Sequence, residues 1–581
     1  MKIYDYALSD KNIYLAIYCL DSYIFNPELL SHEDRKLLDQ LRDKFNEQII
    51  KETVKIVKAR IKELLMNPDE FINAEVYFKP KKVQDDDIIF RPLHVAGIIE
   101  QLAIVALLNV FIYEIPNEDN KLVLSNFSRL IPSNFFGNRV SVKPEELFKP
   151  WNEQYKEYTQ QANEKFEQYY ESKEYSHEVK LDLQNFFPSV SPVILYNYIM
   201  DKMPVSIIGE DRKTIEIILV KLLISKIINL KSKKELEKYY GETFGFEGPY
   251  FTLGIAQGLP QSYFLGNICM IEIAQVFDTV FEGVSLYYVD DSVLFTRGIT
   301  KTIFEERLEE INRKIEEGFR RYKETPENNL RLYNEELSSF LNNTDIYYGI
   351  RVHNQGDKST FTEIATASQG EIYLKCLSRE VSKTAFDMYS TYSDEEDLII
   401  RNRIKTLVTA INKEKTIIED KISQTNDIVE VEKLENYRDK LIRYYKYFEY
   451  RKIKINLRTD ENIEDAERIV YHARISGNKI SKDTFIKDYK EGIWEVALSI
   501  LLKYTRDKKR RQKLRNYLIT INETIFKFTN KTSSYLYKAN QYFIEGKDEY
   551  VFTTCKYDSL EEKVKKNLAT FDKKHTQYII R

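Results

Sequence analysis

The stretch Leu286-Tyr287-Tyr288-Val289-Asp290-Asp291-Ser292-Val293-Leu294-Phe295 decides how this chain is read. Apolar and aromatic runs flank two adjacent carboxylates, a pattern that predicts a strand, a tight turn and a returning strand, with Asp290 and Asp291 held rigidly by the hairpin. Two ionised aspartates side by side repel unless a cation neutralises them, so the pair invites a metal. Far upstream a second apolar run, Val179-Lys180-Leu181-Asp182-Leu183, also carries a carboxylate towards its end. Asp182, Asp290 and Asp291 on neighbouring strands could hold two Mg²⁺ ions roughly 3.5–4 Å apart, with Mn²⁺ as the alternative ion and the Leu183 carbonyl, water and substrate phosphates filling the remaining positions. Such a site suits nucleotidyl transfer: one ion activates an attacking hydroxyl, and the other offsets charge on the phosphorus and the leaving pyrophosphate.

Between the two runs lies Gln257-Gly258-Leu259-Pro260-Gln261-Ser262-Tyr263-Phe264-Leu265-Gly266-Asn267. It reads as a glycine turn leading into a helix. Gly258 would let backbone approach a base pair, and Gln257, Ser262 and Asn267 would face polar partners at helical spacing.

Composition bounds the rest. At 581 residues the chain suits about four compact units, which excludes a small binding module. With 43% hydrophobic residues and only 14 Pro and 18 Gly it is globular and helix-rich rather than disordered or fibrous. Lys and Arg number 87 against 91 Asp and Glu, a net charge of -4, so any site for a polyanion must be local. Cys19, Cys269, Cys376 and Cys555 are too scattered for a disulfide framework or a zinc site and fit a reducing cytoplasm. No signal peptide is read at the start, and the apolar run Gly97 to Ile115 is interrupted by polar residues, so a buried helix and no membrane partner are expected.

Along the chain, Ser31 and Asp34 read as a capping box opening a helical run through Leu38, Leu41, Phe45 and Ile49 that stops at Asn67-Pro68. Strands are expected around Ala74 to Phe78 and Ile88 to Leu93. A helix follows through Trp151, Tyr155, Tyr158, Phe166 and Tyr169. Beyond about residue 380 long amphipathic helices take over, with Ile404, Leu407, Val408 and Ile411 on one stripe.

Taken in order, Asp182-x-x-x-Phe186-Phe187, Gln257-Gly258-x-x-x-Ser262-x-x-Leu265-x-Asn267 and Tyr288-Val289-Asp290-Asp291 resemble the three palm motifs of reverse transcriptases. Arg91-Pro92-Leu93 and the helix after it are similar to a fingers motif of the bacterial members. Phe136-Gly137-Asn138-Arg139 resembles the next fingers motif, with Asn138 in place of the usual aromatic, and Gly356-Asp357-Lys358 resembles the palm lysine motif. The resemblance covers about residues 75 to 380. It implies an α+β fold with a right-hand polymerase fingers-palm core, the palm carrying an antiparallel sheet, followed by an α-helical C-terminal region. The expected divisions are an N-terminal helical segment over 1–73, fingers and palm over 74–380, a thumb-like helical region over 381–455 and a helical domain over 456–581. The resemblance further implies that Phe187 lies under the incoming sugar and excludes a 2′-hydroxyl, that Arg91 holds nucleotide phosphates as a planar fork, that Tyr288 lines the nucleotide site with Gln257 and Gly258, and that Lys358 contacts or protonates the departing phosphate.

Neither a nuclease nor an intron-maturase signature follows the palm. The layout, with Phe148-Lys149-Pro150-Trp151 before the first palm motif, resembles the abortive-infection and "unknown group" defence reverse transcriptases of bacteria. That implies a cytoplasmic enzyme making DNA from deoxynucleoside triphosphates in antiphage defence, in some members without a template and started on a protein hydroxyl, within a homo-oligomer. Tyr535, Tyr537 and Tyr542, or Tyr4, Tyr6 and Tyr14, are the expected carriers of a covalently attached DNA product. Two other readings stand beside this one: an enzyme copying a dedicated noncoding RNA, held with the product by Lys508, Lys509, Arg510 and Arg511, and a non-catalytic scaffold that kept the palm shape.

Overall fold

Ser31 opens its helix as a capping residue should: its hydroxyl accepts from the Asp34 N–H at 3.1 Å and donates to the Asp34 carboxylate at 2.7 Å. In the computed structural model the chain is described over residues 2–25, 29–43, 46–84, 87–115, 127–229, 249–323, 349–354, 358–364, 367, 372, 375–376, 379, 394–439, 441–442 and 445. It divides into two compact units, residues 1–77 with 92–365, and residues 78–91 with 366–581. The architecture is mixed α+β, as expected from the sequence.

The first unit begins with α1 (Ile3–Ala7), α2 (Asp10–Tyr18), α3 (His32–Arg42) and α4 (Glu47–Met66). The helical run read from Leu38 to Ile49 is therefore two helices. Asn46 opens the second of them as its N-cap, its side-chain oxygen accepting from the Ile49 N–H at 3.4 Å. Next come β1 (Ile72–Gln84) and β2 (Asp87–Val95), of which residues 78–91 fall in the second unit, and then α5 (Ile98–Ile112) of the first. α5 is apolar on all sides and buried on all sides, and α1, α2 and α4 pack around it. Its N-terminus is capped from a distance: the Asp34 carboxylate of α3 accepts from the Ile98 N–H at 2.7 Å.

After α5 the chain forms α6 (Trp151–Ser172), β3 (His177–Leu181), the short α7 (Phe186–Ser189), α8 (Pro192–Asp201), α9 (Gly209–Leu223), β4 (Ser225–Ile227) and β5 (Tyr250–Phe251). Then follow α10 (Pro260–Phe281), β6 (Val284–Tyr288), β7 (Asp291–Thr296), α11 (Lys301–Lys323) and β8 (Thr360–Glu363). By length and composition α10 is long and apolar enough to cross a membrane, yet 72% of that window is buried inside the fold.

Among the described residues the strands form two four-stranded sheets. One has the order β2-β1-β4-β5, with β1 parallel to β4 and β4 antiparallel to β5. The other has the order β6-β7-β3-β8 and is antiparallel throughout. This second sheet carries the candidate site at one end.

In the second unit α12 (Asp394–Gln424) turns Ile404, Leu407, Val408, Ile411 and Ile418 into one cluster with Leu441. That is the amphipathic stripe read from the sequence. Residues 456–581 lie outside the described residues, and with them Lys508, Lys509, Arg510, Arg511, Tyr535, Tyr537 and Tyr542.

Candidate active site

The strand register ends next to two of the three aspartates. In the β3–β7 ladder Leu181 lies opposite Ser292, so the next pair outward is Asp182 and Asp291, at the open end of the ladder. The β6–β7 hairpin closes with Tyr288 opposite Asp291, leaving Val289 and Asp290 as a two-residue turn. All three carboxylates read from the sequence therefore sit at one sheet end, two on facing backbone positions and one in the adjoining turn.

That turn is strained. Val289 has φ 57°, a left-handed conformation that a β-branched residue adopts at a cost of about 1–3 kcal/mol. What holds it is the loop 134–138, which runs beside β6: the Phe136 N–H donates to the Tyr287 carbonyl at 2.8 Å and the Tyr287 N–H to the Asn134 carbonyl at 2.9 Å. Gly137 then lies on the turn itself. A Cβ there would stand 2.6 Å from Val289 Cγ2 and 2.9 Å from the Val289 nitrogen, so only glycine fits. Asn267 of α10, fully buried, donates to the carbonyls of Gly137 and Asn138 at 2.8 and 3.2 Å. The two motifs thus brace the turn together. The helical spacing of Asn267 gives it a polar partner, and that partner is backbone.

Asp182 sits just beyond β3, its side chain 27% exposed, and two cationic or donor groups meet its Oδ1: Lys358 Nζ at 2.8 Å and His353 Nε2 at 3.3 Å. A short segment holds this loop from the other side. Leu183 bridges Val352, the His353 N–H donates to the Asp182 carbonyl at 2.9 Å, and the Gln184 N–H donates to the Arg351 carbonyl at 2.7 Å. The bonds of that bridge run through Asp182 and Gln184 rather than through the Leu183 carbonyl, the oxygen expected to face a metal. Gln184 also donates to the Val352 carbonyl at 3.1 Å, and Asn312 of α11 accepts from the Val352 N–H at 2.9 Å.

The remaining candidates divide. Phe187 is 9% exposed, its ring edge-on to Phe186 and Tyr263 with centroids 5.4 and 6.0 Å away. Its carbonyl accepts from the Ile255 N–H at 3.0 Å, and Gly254 at φ 72° lies so close that a Cβ would stand 2.2 Å from that carbonyl. Gly258, at φ 111°, approaches protein backbone: a Cβ would stand 2.5 Å from the His94 carbonyl, and the Gln257 carbonyl accepts from the His94 N–H at 2.8 Å. Within the fold, the close backbone approach read at Gly258 is made to the end of β2. Tyr288 is buried, its ring edge-on to Tyr155 at 5.0 Å and its hydroxyl donating to the Trp151 carbonyl at 3.3 Å. That environment is a tyrosine cluster inside the fold. Arg91 belongs to β2, its side chain outside the described residues. Of the N-terminal tyrosines, Tyr14 is 41% exposed, whereas burial pushes the Tyr6 phenol well above its ordinary pKa.

Sequence reasoning missed His353, Asn312 and the seating role of Gly137. His353 stands five residues before Lys358 with no local pattern around it; only the long-range pairing of 351–353 with 182–184 makes it visible.

Among the described residues no three His, Cys, Asp or Glu side chains converge as a ready-made metal cage. The donor chemistry nonetheless fits a hard divalent ion: carboxylates on facing positions, a carbonyl outside the ladder, and one carboxylate oxygen that already receives an ammonium. Compared with models of known protein families and with curated protein sequences, the chain matches none.

Proposed function

We propose that the chain is a metal-dependent polymerase of deoxynucleotides with a right-hand polymerase core, the sheet β6-β7-β3-β8 serving as its palm. The observation that carries this reading is the register, which ends at Leu181 opposite Ser292, with Asp182 and Asp291 the next residues outward, and puts Asp290 in the turn between β6 and β7. Asp182, Asp290, Asp291 and the Leu183 carbonyl would hold Mg²⁺ or Mn²⁺. Bound there, the ions would lower the pKa of an attacking hydroxyl and offset charge at the phosphorus and its leaving group.

The chain's own residues supply the rest. Asn267 and Gly137 keep the strained turn from relaxing, so the carboxylates are oriented before substrate arrives. Phe187, pinned through its carbonyl by the 254–255 backbone, presents a ring that would clash with a ribose 2′-hydroxyl. The resemblance to bacterial defence reverse transcriptases supports an antiphage role, with DNA primed on a tyrosine hydroxyl. The test is incorporation of labelled deoxynucleotides by the purified protein with Mg²⁺, with release of the product by proteinase but not by denaturant. Product freed by denaturant alone rejects protein priming, and no product at all rejects the polymerase reading.

A further inference from the structure

The two groups on Asp182 are attached to the fold in different ways. Lys358 reaches Oδ1 from a turn at the end of a flexible four-carbon stem and is 43% exposed. His353 cannot move away so easily. Its own N–H is bonded to the Asp182 carbonyl, and its segment is fixed on one side by Gln184 and on the other by Asn312. We propose that the two play separate parts at one oxygen. Lys358 is a tethered counter-cation that a divalent ion displaces from Asp182 Oδ1, and His353 is a positioning residue that keeps the carboxylate in place through the exchange. This rests on the reading of Asp182 as a metal ligand.

The physical argument is competition for one oxygen. An ammonium 2.8 Å from Oδ1 stabilises the carboxylate while no ion is bound, and linkage subtracts that stabilisation from the affinity for the ion. Because the pair is partly exposed, the subtraction is modest, about two- to fivefold in affinity. Displacement also frees the ammonium beside the ions, where it can meet phosphate. His353 acts with the opposite sign. Its Nε2 stands 3.3 Å from Oδ1, and outer groups that orient a metal-binding carboxylate typically carry roughly 10-fold or more in metal affinity. One oxygen therefore has a competitor and a support, and removing them should move metal binding in opposite directions.

The experiment titrates Mn²⁺ into the full-length protein without nucleotide and reads the free ion by electron paramagnetic resonance. Wild type is compared with Lys358→Met, His353→Ala, His353→Gln and Asp182→Asn, each checked for an unchanged circular dichroism spectrum. Lys358→Met is expected to bind Mn²⁺ about two- to fivefold tighter, His353→Ala about 10-fold weaker, and His353→Gln, which keeps an N–H donor, close to wild type. Amine labelling of Lys358 in the wild type should rise when Mn²⁺ is added. If Lys358→Met binds equally or more weakly while Asp182→Asn still removes the site, the exchange is overturned. If His353→Gln is as weak as His353→Ala, the positioning role is overturned. If wild-type Mn²⁺ binding is absent or indifferent to Asp182→Asn, the metal-ligand reading itself fails, a result distinct from the other two.

Discussion

Replacing Gly137 by alanine tests how tightly the carboxylate turn is seated. The added Cβ would stand 2.6 Å from Val289 Cγ2 and 2.9 Å from the Val289 nitrogen. Carbon atoms rest about 3.5–4.0 Å apart, so the side-chain overlap is roughly 1 Å. A rotamer change can relieve the methyl contact, but the nitrogen is backbone and moves only if the turn moves. Val289 is already at φ 57°, and Asn267 holds the opposing loop by two carbonyls, so the strain has little room to spread. Overpacking of this kind costs about 1–3 kcal/mol of stability. A shift of roughly 1 Å in a reacting group costs on the order of 100-fold in rate. Urea unfolding and single-turnover addition of one deoxynucleotide measure the two effects separately. Gly318, in α11, is the control: nothing lies within 4 Å of its added Cβ. Gly318→Ala should therefore gain up to about 1 kcal/mol from helix propensity with the rate unchanged. Wild-type stability and rate in Gly137→Ala would refute the claim that this contact seats the turn.

Three further outcomes follow from the same geometry. Asn267→Ala removes the donor from one buried and one partly buried carbonyl and should lower stability by about 1–3 kcal/mol in urea unfolding, with a loss of rate in the same direction as Gly137→Ala. Phe187→Ala should admit ribonucleotides in a competition assay and cost about 3 kcal/mol, as the ring is 9% exposed against Phe186 and Tyr263. His94 is buried with its ring 4.3 Å from Phe251, and burial lowers its pKa to about 3. The native state then binds fewer protons than the unfolded chain between that value and the ordinary 6.5, so stability falls as pH is lowered through this window. From pH 7.5 to 5 the loss should be about 2 kcal/mol, present in the wild type and absent in His94→Leu, measured as urea midpoints.

Which of these features could be read in advance depends on how local their causes are. The hairpin over 286–295 was legible because alternating apolar runs around two aspartates leave few alternatives, and β6 and β7 form there with a two-residue turn. The capping box at Ser31 and the stripe on α12 were legible for the same reason, since each is fixed within a few residues. The break between α3 and α4 escaped because the apolar period continues across it and the N-cap at Asn46 leaves no apolar signal. At the site, residue types pointed to Asp182, Asp290 and Asp291, whereas the approach of Gly258 to the backbone of β2, more than 150 residues away, carries no local signal. The seating of Gly137 on Val289 and the pairing of 351–353 with 182–184 are likewise set by long-range packing, which no local pattern encodes.

The most direct test is DNA synthesis by the purified protein with labelled deoxynucleotides and Mg²⁺, compared with Asp290→Asn, Asp291→Asn and the double variant. The substitutions preserve shape while removing charge. The expected result is polymer from the wild type only, lost on chelation of Mg²⁺ and restored by its return, with the unfolding transition of each variant kept. Polymer from the double variant, or synthesis indifferent to Mg²⁺, would contradict the assignment of this sheet end as the catalytic centre.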